Sequence, residues 1–77
     1  MTKKDFFLKM DQILEKAPGT INGGEVLEAE VRWDSMAAIA FIAMVDSSLN
    51  MQLSPSELVK SRTVADLLAL VGDKVKD

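Results

Sequence analysis

The chain reads as an all-α four-helix bundle: three longer helices, one short third helix, and a long loop between the first two. Apolar residues recur at the helical period rather than alternating. Four helix-start signals built on Thr, Asp or Ser stand along the chain. No Asn-Gly hairpin falls between two alternating apolar runs. With 77 residues and no cysteine, the expectation is one domain over 1–77, held by its core alone. A 48% hydrophobic content, mostly Leu, Ile, Val, Met and Ala, suits that task.

The first helix is expected over Lys3 to Lys16. Phe6, Met10, Ile13 and Leu14 share one stripe with Phe7 beside it, and Lys4, Asp5, Asp11 and Glu15 point outward. Thr2 and Asp5 have capping-box spacing, and Pro18-Gly19 stops the helix. Residues 17–34 form a connection long enough to suggest function. In it Val26, Leu27 and Val31 are expected to tuck into the bundle, with a short turn near Glu25 to Glu30. The second helix runs from Ser35 to about Asn50, a residue suited to a helix C-terminus. Ser54-Pro55-Ser56-Glu57 opens a third helix that ends near Lys60. Thr63 with Asp66 opens a fourth, whose Val64, Leu67, Leu68 and Val71 face inward until Gly72.

Composition removes several functions. With neither His nor Cys, one chain cannot build a Ser-His-Asp or Cys-His relay or a zinc site of His or thiolate ligands. No paired carboxylates sit at helical spacing in an apolar setting, and Glu28 and Glu30 lie in a polar stretch, so a non-catalytic protein is expected. A net charge of -3 and a pI near 4.8 argue against nucleic acid as a partner. The apolar stretch before Lys9 is too short for a signal peptide. The longest apolar run, Met36 to Val45, is about half of what a bilayer-spanning helix needs. A cytoplasmic, monomeric protein without a membrane span is the expectation.

One hydroxyl stands apart. Thr2/Asp5, Ser54/Glu57 and Thr63/Asp66 each pair a cap with an acid three residues on, whereas Asp34 and Ser35 are followed at that distance by Ala37 and Ala38. Both can simply cap the second helix. Alternatively Asp34 caps alone, leaving the Ser35 hydroxyl unclaimed where unpaired amides and the helix dipole favour an added phosphate.

The whole chain resembles the acyl carrier proteins. The resemblance rests on Asp34-Ser35-Met36 opening the second helix, on Phe41, Ile42, Val45 and Leu49 along it, on Leu53-Ser54-Pro55, and on Thr63-Val64-Ala65-Asp66-Leu67. It implies that Ser35 bears 4'-phosphopantetheine, transferred from coenzyme A by a phosphopantetheinyl transferase using Mg²⁺, with Asp34 as auxiliary to that modification. The arm's thiol then holds acyl groups as thioesters for acyl-loading and acyl-transferring enzymes, as in lipid or polyketide biosynthesis. No metal is retained.

On a helical wheel Ala38, Phe41, Ile42, Val45 and Leu49 form the core face of the second helix. Met36, Ala37, Ala40 and Met44, with Ala43 and Ser47, form an opposite strip expected to dock partners, Ile39 and Asp46 lying toward its edges. Trp33 is expected to pack across the loop and the bundle end, with contact to the arm or an enzyme as the alternative.

Two departures from the resemblance matter. Carriers of fatty-acid synthesis place several acids on this helix, but here only Asp46 lies between Met36 and Asn50, with Glu25, Glu28, Glu30 and Asp34 upstream. Val31-Arg32-Trp33 stands where many carriers have glycine, and the Gly-Gly-X-Ser of peptidyl carriers is absent. The reading is a specialised stand-alone acyl carrier. An aminoacyl or peptidyl-type carrier, or an unmodified helical adaptor binding through the second helix, are the alternatives.

Overall fold

Thr2 begins the fold as expected: its hydroxyl accepts the Asp5 amide at 3.1 Å, and the Asp5 carboxylate accepts the Thr2 amide at 3.2 Å. The helix it opens, α1, spans Lys3–Ile13 in the computed structural model, which describes residues 1–76; Asp77, the last residue of the expected domain, lies outside them. The other helices are α2 (Ser35–Leu49), α3 (Pro55–Val59) and α4 (Val64–Val71), with 3-10 turns at Leu27–Ala29 and Gly72–Lys74. This is the expected all-α architecture, and among the described residues no helix is long and apolar enough to cross a membrane.

α1 ends earlier than Lys16, and Asp11 does not face outward. It is 1% exposed, and its carboxylate accepts the amides of Gly19 at 2.8 Å and Ile21 at 3.1 Å. The chain reverses at Glu15, in the left-handed region at φ 57°, and folds back over the helix end. Leu14 and Ile21 both enter the core this way. The reversal supplies Asp11 with donors that a straight helix would leave in solvent.

The long loop also departs from expectation. Leu27 is buried, but Val26 is half exposed and Val31 is 92% exposed. Val26 instead forms an isolated antiparallel bridge with Thr63. Around it Leu27 N donates to Arg62 O (2.8 Å), Val64 N to Glu25 O (3.1 Å) and Ala65 N to Gly23 O (2.9 Å). The latter two donors are first-turn amides of α4, which have no partner inside the helix. Thr63 and Asp66 complete the α4 terminus as a capping box. Gly23 sits at φ 107°, a conformation side chains rarely adopt, against the Phe7 ring.

In α2 the buried stripe is Ala37, Phe41, Val45 and Leu49, with Ala38 and Ile42 half-buried at its edge. The helix stops at Asn50, in the left-handed conformation that ends helices. Ser54 precedes α3, but its hydroxyl meets Ser56 Oγ at 2.9 Å rather than a backbone amide; Pro55 needs no donor there. α4 buries Val64, Leu67 and Val71, leaves Leu68 half-buried, and ends at Gly72. The aromatic rings run edge to face, Phe7 on Phe6 (6.1 Å), Phe6 on Phe41 (5.9 Å) and Trp33 on Phe41 (6.3 Å), and link α1 to α2 through the core.

Candidate functional site

The approach to Ser35 is built from short turns. Trp33 N donates to Glu30 O and Asp34 N to Arg32 O, both at 3.1 Å. Glu30, in a stretch that reads as polar, is partly buried and pairs with Lys16 at 2.8 Å; the Arg32–Glu15 pair, at 3.5 Å, is mostly exposed and adds little. Trp33, half-buried on Phe41, anchors the last step, which is the structural role expected of it.

Asp34 is the cap of α2. Its Oδ1 accepts the Ala37 amide at 2.9 Å and its carbonyl accepts the Ala38 amide at 3.0 Å. Ser35 follows as the first helical residue, exposed, with its hydroxyl in no hydrogen bond among the described residues. The Ser35 and Met36 amides are likewise left open at the positive end of a 15-residue helix. An oxygen nucleophile, two free donors and a favourable dipole therefore share one solvent-facing corner. That corner suits a phosphodiester; no cluster of metal-ligating side chains exists among the described residues.

A groove of about 510 Å³ runs from this corner between α2 and α3. Trp33, Ala38, Ile42, Pro55 and Leu58 line it, Asp34 and Ser35 stand at one end, and Ile39 and Val59 form its rim. On the other side of Trp33 lies a smaller cavity of about 310 Å³, with Glu28 and Arg62 in its wall.

The residues expected to dock partners differ in exposure. Met36 and Ala40 are exposed and Met44 is half-buried, flanking two shallow depressions between α1 and α2. Ala37 is buried and cannot belong to an exposed strip, because it lies one turn before Phe41 on the stripe that continues to Val45 and Leu49. Ile39, placed toward the edge of that strip, and Val59, given no role, are among the most exposed large apolar side chains. The signal for Val59 was available: in a five-residue helix Leu58 and Val59 cannot both face inward.

A family profile described as a phosphopantetheine attachment site matches residues 10–71, which include the Ser35 corner, the groove and all of α2 and α3. No curated protein and no solved structure matches the chain.

Proposed function

Since this chain belongs to the phosphopantetheine-attachment family, whose carriers are non-catalytic and bear 4'-phosphopantetheine derived from coenzyme A, we propose that Ser35 is its attachment residue and that its cargo is acyl. The match favours a modified carrier over the unmodified-adaptor alternative. One observation carries the assignment: Ser35 is a free, exposed hydroxyl on the first turn of α2, inside the matched region. Asp34 holds that turn open by capping through Ala37, so the hydroxyl is not consumed by the helix it begins.

In the transfer reaction Ser35 Oγ forms the new phosphoester, its proton leaves to the transferase, and the nucleotide half of coenzyme A departs. The attached arm supplies the thiol that the chain lacks. The open Ser35 and Met36 amides favour the resulting phosphate charge. Acyl rather than aminoacyl cargo is supported by the groove beginning at Ser35, whose walls beyond Asp34 are apolar and offer no partner for an ammonium group. Residues 1–76 pack around one core, which supports a single carrier domain.

Incubation with coenzyme A, Mg²⁺ and a broad-specificity phosphopantetheinyl transferase should add one phosphopantetheine mass, mapped by fragmentation to Ser35. Ser35→Ala should gain nothing and keep its helical spectrum. Modification at another residue, or none with two unrelated transferases, would remove Ser35 from this role.

A further inference from the structure

We infer that Arg32 is the counter-ion of the phosphodiester formed at Ser35, its guanidinium leaving Glu15 for that group once the arm is attached. The inference rests on Ser35 being the attachment residue. Arg32 is the sole basic residue between Lys16 and Lys60. Its carbonyl accepts the Asp34 amide at 3.1 Å, which ties its backbone to the cap of α2. Arg32, Asp34 and Met36 line one depression of about 440 Å³ on the α1 side, so Arg32 shares a wall with both neighbours of Ser35. A glycine here, where many carriers have one, could make no such contact.

Glu15 holds Arg32 loosely. The pair runs from Nε to Oε2 at 3.5 Å, with the two side chains 61% and 62% exposed. A pair so long and so wetted contributes little. A phosphate oxygen makes shorter, charge-assisted bonds with a guanidinium, whose planar fork can meet two oxygens at once. Attachment also sets a permanent negative charge next to Asp34, which already carries one and whose Oδ1 is taken by the Ala37 amide. The open Ser35 and Met36 amides offer donors but only the partial charge of a helix end. Arg32 supplies a full charge as well as donors. Other cations are engaged or placed elsewhere. Lys16 is bound to Glu30 at 2.8 Å. Lys60 follows α3, whose Glu57 carries the opposite sign. Arg62 stands with Glu28 in the cavity beyond Trp33, and Lys9 lines the depression farther along α2. The exchange moves no proton and no covalent bond: Glu15 returns to water, and Arg32 binds the root of the arm to the loop that delivers Ser35.

The test compares the protein before and after treatment with coenzyme A, Mg²⁺ and a broad-specificity transferase, with intact mass confirming the load. In the modified parent, the phosphodiester phosphorus NMR resonance should move toward its position in the unfolded chain between about 50 mM and about 500 mM NaCl. In modified Arg32→Gln it should start near that position and respond little to salt. The change in thermal midpoint on modification should be about 2–4 °C less favourable in Arg32→Gln than in the parent. Glu15→Gln, which removes the competitor, should make that change more favourable. Lys60→Gln and Arg62→Gln should leave both readouts as in the parent. A parent-like resonance and midpoint change in Arg32→Gln would overturn the proposal while leaving the modified Ser35, and so the carrier assignment, intact. A shift produced by Lys60→Gln or Arg62→Gln instead would name another counter-ion and overturn it equally. So would an Arg32→Gln effect confined to the transferase KM, which assigns Arg32 to contact with the enzyme. Absence of any load on Ser35 removes the attachment reading itself, and the proposal with it.

Discussion

Single residues here separate into those whose partners are near in sequence and those whose partners are not. Asp34, Asn50 and Thr63 act on amides or carbonyls within four residues, and their roles were readable from spacing alone. The unengaged hydroxyl of Ser35 was readable by subtraction, as the one at a helix start without a local acid. Asp11 was not, because its donors at Gly19 and Ile21 lie eight and ten residues away and arrive only after the chain reverses at Glu15. Its burial has a measurable consequence. Asp11→Ala leaves the buried Ile21 amide and the part-buried Gly19 amide without their acceptor, and a buried donor left unmatched costs about 1–3 kcal/mol. Urea unfolding of this variant should show a loss in that range or above. Asp11→Asn, which keeps one carbonyl acceptor, should lose less. Equal stability of Asp11→Ala and the parent would mean that the loop amides find water instead.

At the scale of elements, helices with both ends marked by local chemistry came out nearly as read, while the loop did not. Val26 and Val31 were expected inside because they are apolar, but backbone pairing with the start of α4 controls this segment. That pairing depends on Glu25, whose carboxylate accepts the amides of Asn22 and Gly23, both at 2.9 Å. Partial burial alone would raise the Glu25 pKa; the amide bonds from Asn22, Glu25 itself and Gly23 outweigh it, and the net shift is downward from 4.5. A lowered folded-state value means that Glu25 stabilises the fold above its unfolded pKa, and that this stabilisation fades as the pH falls through the folded value. Asp66 and Asp5 shift the same way, chiefly through the Arg62 and Thr63 amides for the first and the Thr2 amide for the second. Glu25→Gln should therefore be less stable than the parent at neutral pH, with the difference shrinking steadily below the ordinary value near 4.5. Parallel thermal melts across that range check this. A constant difference at every pH would show that shape, not charge, is what the loop requires.

For the molecule as a whole, the fold class was legible because periodicity alone separates helices from strands, but the groove beside Ser35 was not. It exists because α3 crosses near the start of α2, and no local pattern encodes where a five-residue helix will sit. The same non-local packing places Ser35. Trp33 leans on Phe41, and Phe41 on Phe6, so the core of α1 and α2 sets the direction in which the loop delivers the serine. Phe41 is fully buried at the centre of this row. Phe41→Ala removes a ring from a close-packed site, a change that costs about 3–5 kcal/mol. Small domains hold only about 5–15 kcal/mol in total, and 77 residues without a disulfide belong at the lower end. The variant should then be largely unfolded or close to it, with the emission of Trp33, the single tryptophan, shifted to the red. Phe41→Leu keeps most of the volume and should fold, yet it lacks the edge-to-face partner of Trp33. If packing on Phe41 is what orients the attachment turn, Phe41→Leu should retain its helical spectrum while Trp33 becomes more quenchable by acrylamide and modification of Ser35 slows. Unchanged quenching and an unchanged rate would place the orientation of Ser35 in the Asp34 cap and the Lys16–Glu30 pair alone.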